Sequence, residues 1–380
     1  MSEPEGPRDD PKPSAQPRPD PDADAQPRSR PVQGPSASPV PPGPETPEAP
    51  PAPSPPSTSP GHQQLTDQPG GPADPPGAAP ATGRPTGARP ATPAAKPTRG
   101  SVRTIHYDLS YLVSNAERGP KGAFVLLHDL PGGAFVWQNV MPTLAATGRA
   151  VYAFDLLGYG NSDHPWPADE TIWGHADALA PALAELGLTE IILVGFGVGG
   201  GTAQVLATRL ARHVPAALVL VNTYAYSYAH AADWPMTQMT QRQDPDAPRH
   251  VTTERALADL RATLPTGAVN AKFLAGSTLD AYVNEWNSDL GRECLFQHIR
   301  QMVPNYTLAV ASDLKRLDYP VLIVWGERDE VTPLTLGRRL ANDIPGSTLS
   351  MVPNAGHLIL DDASDAVAKL LADFASTLPR

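Results

Sequence analysis

The sequence predicts an α/β fold with a mostly parallel, doubly wound sheet, and three observations carry that expectation. Short continuous apolar runs alternate with longer amphipathic stretches from residue 123 onward, as in parallel strands covered on both faces and joined by crossover helices. Several runs end in turn-rich polar segments, which suit loops at the carboxyl edge of such a sheet. One run, residues 191–194, passes straight into Gly195-Phe196-Gly197-Val198-Gly199-Gly200-Gly201 and a helix-forming stretch, 202–211. A strand that bends sharply into a helix needs residues without a Cβ near the bend.

Taken in order, Ile105, Tyr107, Leu109 and Tyr111 alternate with His106, Asp108 and Ser110, the period of a half-buried strand. A polar turn at 115–119 leads to the apolar run 123–127, then to His128-Asp129-Leu130-Pro131-Gly132-Gly133 and a helix over 135–146. Residues 151–154 form the next buried strand, followed by a loop at 155–163 and a helix over 172–186 that Gly187 ends. After the glycine-rich turn and its helix comes a strand at 217–221. Between 223 and 315 the alternation stops, and helices are expected over 254–264, 279–286 behind Ser277 and Thr278 as caps, and 292–302. A helical insertion between two strands is the form a lid takes. The sheet then resumes with a strand at 321–325, a helix over 334–341, a short strand at 348–352, a loop at 353–358 and a last helix over 363–374.

Composition divides the chain near residue 100. Thirty of the 47 prolines precede that point, where Phe, Trp and Tyr are absent. So little apolar surface does not offset the entropy of ordering, and residues 1–100 are expected to be a disordered, locally extended tail. Segments such as Pro51-Ala52-Pro53-Ser54-Pro55-Pro56 are candidate ligands for a proline-recognising domain; a solvated tether is the plainer expectation. The resulting organisation is a tail at 1–100, a core in two parts at 101–222 and 316–380, and a lid at 223–315.

Nine basic and eleven acidic residues in the tail account for −2 of the net charge of −11, leaving −9 on the remainder. That excess of acid argues against a nucleic-acid partner. A single cysteine, Cys294, excludes an internal disulfide and the cysteine-rich zinc patterns. His175 and His298 sit in helical patterns without ligand-spaced companions, so no metal and no cofactor are expected. With no apolar run of membrane-spanning length and no apolar leader, the expectation is a soluble cytoplasmic protein that binds a small molecule.

Three loops at strand ends carry the chemistry: the glycine-rich turn, Gly326-Glu327-Arg328-Asp329, and Asn354-Ala355-Gly356-His357-Leu358. The order turn, Asp, His suits an imidazole that relays protons and a carboxylate that orients it. With those motifs the chain from about 101 to 380 resembles the α/β-hydrolase fold superfamily, in particular its epoxide hydrolase and haloalkane dehalogenase branch. That branch carries H-G-x-P, D-x-x-G-x-G-x-S-D, G-H-D-x-G-G, G-x-x-D and G-H. The counterparts here are His128 through Pro131, Asp155 through Asp163, the turn, Gly326 through Asp329, and Gly356-His357. The resemblance implies that Asp329 orients His357, that His357 is the general base, and that the amides of Leu130 and Val198 are oxyanion donors. Phe196, Tyr224, Tyr226, Trp234 and Trp286 are candidate substrate-binding residues, with Tyr228 and Tyr282 as further lid tyrosines.

Two departures follow. The family's His-Asp in the turn is Phe196-Gly197 here, so the nucleophile position, Gly197, is vacant. The tryptophan that helps dehalogenases hold halide is Val198. Three readings stand side by side. In the first, His357 and Asp329 act without a covalent step, by activating water or abstracting a proton from a small apolar or amphipathic substrate beside the cavity at Gly197. The second is an inactive homologue that binds a ligand or partner, for which the NDR-type proteins, whose turns resemble G-x-G-V-G-A-G, are the precedent. The third is a hydrolase whose nucleophile comes from elsewhere, with Ser162 the nearest hydroxyl by motif. His128 is expected to shape its loop and Cys294 to be a packed small residue.

Overall fold

The computed structural model describes residues 96–210, 214–226, 251–302 and 305–379. The predicted tail, apart from its last few residues, and Trp234 and Tyr228 lie outside them. An eight-stranded sheet runs in the order β1-β2-β4-β3-β5-β6-β7-β8. Its strands are β1 (Thr98–Arg103), β2 (Asp108–Ser114), β3 (Phe124–Leu127), β4 (Val151–Phe154), β5 (Ile191–Phe196), β6 (Pro215–Val221), β7 (Val321–Gly326) and β8 (Thr348–Val352). From β4 to β8 every neighbouring pair is parallel, while β1 and β2 add an antiparallel edge. The continuous apolar runs behave as expected of strands covered on both faces: β3, β4, β5 and β7 are buried at every residue.

The helices of the first half are α1 (Met141–Ala146), α2 (Ile172–Glu185) and α3 (Val198–Arg209). Between β6 and β7 stand α4 (Thr253–Thr263), α5 (Ser277–Val283), α6 (Asp289–Gln301) and α7 (Tyr306–Leu314), with short 3₁₀ turns between them. After β7 come α8 (Leu334–Asp343), α9 (Ile359–Asp362) and α10 (Ser364–Ser376). Among the described residues no helix is long and apolar enough to cross a membrane.

Several expectations are corrected. The alternation read as one strand over 105–111 spans the turn of a hairpin: Thr104 closes that turn by hydrogen bonds to Tyr107, and Ile105 is 88 % exposed. The hairpin's first strand, β1, begins inside the stretch assigned to the tail. The helix expected over 135–146 is a 3₁₀ turn at Ala134–Trp137 followed by α1. In the insertion, Ser277 is the first residue of α5 and Gly276 holds the cap position, while α6 starts earlier than expected because Ser288 caps it, accepting from the Gly291 N–H.

Candidate active site

Helix α3 begins at Val198, four residues before the predicted start, so all three glycines 199–201 lie inside it. Helix propensity argues against that start, but the packing requires it. A Cβ on Gly199 would stand 2.5 Å from the carbonyl oxygens of Leu127 and His128, where α3 closes against the end of β3. The Gly199 N–H donates to the His128 carbonyl at 3.0 Å, which fixes the first turn of α3 to the loop after β3. The two arms of the site, turn and loop, are thereby tied together.

His128 shapes that loop. Its Nε2 accepts the Leu156 N–H at 2.9 Å, so the ring proton sits on Nδ1 and is donated to the Asp129 carbonyl at 3.0 Å. Burial pushes its pKa down, and the ring stays neutral. Thus anchored, the loop turns the Asp129 side chain inward toward the start of α3.

The position expected to be vacant is filled. Gly197 has φ +53°, and a Cβ built there would lie 1.9 Å from Asp129 Cγ and 2.1 and 2.2 Å from its two oxygens. The Asp129 carboxylate occupies the place that a side chain at 197 would take. The Val198 N–H donates to Asp129 Oδ1 at 2.7 Å, and His357 Nε2 lies 2.9 Å from Asp129 Oδ2. The open cavity beside Gly197 is therefore corrected, and the Val198 amide, expected to await an oxyanion, already holds a carboxylate. Leu130, the other expected amide donor, follows directly and is buried.

On the far side of the ring, His357 Nδ1 is 3.0 Å from Asp329 Oδ2. Asp329 is oriented by its own loop: Oδ1 accepts the N–H groups of Val331 and Thr332, and Oδ2 accepts the Thr332 hydroxyl at 2.6 Å. The three groups form a buried row, Asp129, His357, Asp329, with at most 2 % of any side chain exposed. Burial alone would push the imidazole down; the charge of Asp329 and the hydrogen bonds to Asp129 and Asp329 outweigh it and raise His357 to about 10. At neutral pH the ring is a cation donating both N–H groups to carboxylates. The residue expected to be a general base starts out as an acid.

Asn222, at the end of β6, holds the two loops in register and was not singled out from sequence. Its Nδ2 donates to the carbonyls of Gly356 and His357 at 2.8 and 2.9 Å, and its Oδ1 accepts the Gly326 N–H at 2.8 Å. It is a buried residue at φ 38°, where Asn is among the few side chains tolerated, and that combination was the available signal.

The candidate substrate-binding residues divide. Phe196 and Tyr224 are buried with rings 5.6 and 6.2 Å from that of His357. Tyr226 is turned away: its hydroxyl donates to Asp343 on α8 at 2.8 Å and the Arg339 guanidinium lies over its ring. Trp286 donates from Nε1 to the Pro131 carbonyl at 3.3 Å, covering the loop that carries Asp129. Tyr282 donates to Asp361 at 2.7 Å. Ser162 does not face the site; it donates to the Asp155 carbonyl at 2.6 Å and accepts the Ser110 N–H, which makes it part of the loop. Cys294 is wholly buried, and burial pushes its thiol up to about 11. No cluster with the makings of a metal site occurs among the described residues.

A sheet of this order, with a strand-to-helix turn on β5 and an Asp and a His on the loops after β7 and β8, defines a hydrolase-type α/β protein. The chain belongs to the alpha/beta hydrolase fold family, whose model matches residues 122–364. Among curated relatives it is 27% identical over 292 residues to a haloalkane dehalogenase of Psychrobacter cryohalolentis, covering 72% of this chain and 90% of that one. It is 21% identical over 250 residues to the uncharacterized hydrolase YugF of Bacillus subtilis, covering 66% and 88%. An alpha/beta hydrolase fold protein from Burkholderia ambifaria superposes with a TM-score of 0.63 at 26% identity, covering 72% of this chain and 97% of that one. A haloalkane dehalogenase loop variant from Bradyrhizobium elkanii shares the fold at a TM-score of 0.65 and 18% identity, covering 74% and 97%.

Proposed function

We propose that this protein is a hydrolase that attacks a small apolar or amphipathic molecule at an electrophilic saturated carbon, as in an epoxide, with Asp129 as the attacking group. The observation that carries this reading is the Asp129 carboxylate standing where a side chain at 197 would be, with one oxygen on the Val198 N–H and the other beside His357. An epoxide is preferred to an alkyl halide because Val198 stands where dehalogenases of this type carry a tryptophan.

Asp129 Oδ2 bonds to carbon as the carbon–oxygen bond of the ring breaks, and the released oxygen takes a proton from a hydroxyl acid, for which Tyr224 is the candidate. The ester at Asp129 no longer carries the charge that holds the second proton on His357. That proton leaves the ring and makes good the one taken by the released oxygen. Neutral His357, oriented by Asp329, then removes a proton from water, which adds to the ester carbonyl with its oxyanion on the Val198 N–H. Collapse frees the diol and restores the carboxylate and the imidazolium. In the first sequence reading His357 instead acts as a base from the outset, activating water or abstracting a substrate proton, and no ester forms.

A second reading, a ligand- or partner-binding homologue without turnover, is favoured by the mutual satisfaction of the three buried groups in the resting state. The deciding experiment incubates the protein and its His357→Gln variant with 1,2-epoxyhexane and maps the peptide between Lys121 and Arg149 by mass. The expected result is an ester on Asp129 that accumulates in His357→Gln and is absent from Asp129→Asn. Diol formed without any adduct supports water activation, and neither diol nor adduct supports the second reading.

A further inference from the structure

A second buried polar cluster lies beside Val198, apart from the Asp129–His357–Asp329 row. His298 on α6 stacks on Tyr159 with ring centroids 4.0 Å apart and planes at 27°. Its Nε2 lies 3.1 Å from the Gly158 carbonyl, which only accepts, so the proton of the neutral ring sits on Nε2 and Nδ1 carries a bare lone pair. Burial keeps the ring neutral by lowering its pKa to about 3. Glu170, 3 % exposed, approaches this face: its Oε2 accepts Gln297 Nε2 at 2.7 Å and lies 3.3 Å from His298 Nδ1, outside hydrogen-bond geometry. Among the described residues, Glu170 Oε1 and His298 Nδ1 have no hydrogen-bond partner. Burial raises the Glu170 pKa to about 7, so a large share of it is an acid with a proton to donate.

These groups line a cavity of about 10 Å³ whose other walls include Tyr159, Val198, Gln301 and Tyr306. That is room for one water-sized group. Polar atoms are seldom buried without partners, because an unmade hydrogen bond costs about 1–3 kcal/mol. A carboxylate ligand would find no cation among these groups. An ammonium would find no fixed anion at neutral pH. A hydroxyl matches both sides, donating to His298 Nδ1 and accepting from the Glu170 acid.

We infer that Glu170 and His298 form a subsite for one hydroxyl group of the substrate, with the apolar remainder running past Val198 toward Asp129. The inference deepens the proposed function and rests on that reading for the direction in which the substrate lies; the subsite itself is tested without turnover. Val198 is the physical link, since its N–H holds Asp129 and its side lines the cavity. The substrate class becomes an amphipathic molecule with a neutral hydroxyl at the end away from the electrophilic carbon.

The test compares 1-hexanol with methyl pentyl ether, which match in heavy atoms and differ in the ability to donate, by ligand-observed NMR titration of the full-length protein. The expected result is tighter binding of the alcohol, on the order of 10-fold. That preference disappears in His298→Phe, which lacks the acceptor, and survives in Glu170→Gln, which still donates. Circular dichroism confirms that each variant is folded. Equal binding of alcohol and ether by the wild type, binding of neither, or a preference that persists in folded His298→Phe overturns the assignment. Should His298→Phe fail to fold, His298→Asn takes its place and is expected to keep part of the preference, whereas equal binding there and in wild type overturns it. A missing Asp129 adduct with the alcohol preference intact refutes the reaction alone. An adduct without the preference refutes the subsite alone.

Discussion

Exchanging the two residues that meet at the turn, Asp129→Gly together with Gly197→Asp, is expected to be far milder than the sum of its parts. Taken alone, Gly197→Asp brings a Cβ to 1.9 Å from Asp129 Cγ, an overlap that no rotamer of residue 197 relieves. It also forces aspartate to φ +53° and sets a second carboxylate against the first. The backbone strain costs about 1–3 kcal/mol, and the displaced Asp129 loses its bonds to Val198 and His357 besides. Asp129→Gly alone leaves the imidazolium with one carboxylate and the Val198 N–H unpaired, and breaking a buried pair in this way costs about 3–5 kcal/mol. The double variant returns a carboxylate to the same volume and retains only the strain, about 1–3 kcal/mol. The coupling between the sites should therefore exceed about 2 kcal/mol, far above the 0.3–0.5 kcal/mol scatter of independent sites. Urea denaturation of the four proteins measures it. A double variant as unstable as the summed singles would refute the claim that one volume is shared between positions 129 and 197.

Asp129→Asn removes one of the two charges that hold the His357 proton, and the His357 pKa, followed by NMR of the imidazole, should fall from about 10 by roughly 1–3 units. Because the folded pKa of His357 lies above its unfolded value, its contribution to stability is complete below about 6.5 and is lost as pH rises through about 10. Glu285, raised to about 8 chiefly by burial, acts in the same direction from about 4.5 upward, so Tm should decline on the alkaline side and Glu285→Gln should flatten the first part of that decline. Asn222→Ala, which strips three hydrogen bonds from the Asp329 and His357 loops, should lower stability by about 1–3 kcal/mol in urea titration and broaden the His357 resonance. Cys294 should resist a thiol reagent at pH 8 in the folded protein and react once the chain is unfolded in guanidinium, since it is buried with its pKa raised to about 11.

Sequence periodicity located β3 through β7 because strands covered on both faces leave uninterrupted apolar runs. It blurred β1 and β2, where Thr104 builds a turn from its own hydroxyl and the alternation of Ile105 and Tyr107 continues through it by chance. It placed α3 late because glycine has poor helix propensity, whereas close approach to the end of β3 leaves no room for anything else at 199. In the site, Asp329 and His357 were legible from motif order alone. Asp129 was not, because His128-Asp129-Leu130-Pro131 resembles H-G-x-P, a motif whose second position carries no side chain. The signal lay in two departures read together. The resembled motifs have glycine at the position of Asp129 and aspartate at the position of Gly197, and this chain has the reverse. Neither departure alone says that the two positions touch. Contact between a loop and a helix start is a property of the sheet order, with β3 beside β5, and no local pattern encodes it.

A carboxylate at the strand-to-helix turn would be clamped from both ends, by β5 on one side and α3 on the other. Asp129 instead hangs from a loop pinned on one side by His128 and on the other at the Pro131 carbonyl, which the Trp286 indole from the helical insertion grips. The aim of the carboxylate is thus partly on loan from the insertion, because the seat of Trp286 bears on the loop from which Asp129 reaches His357.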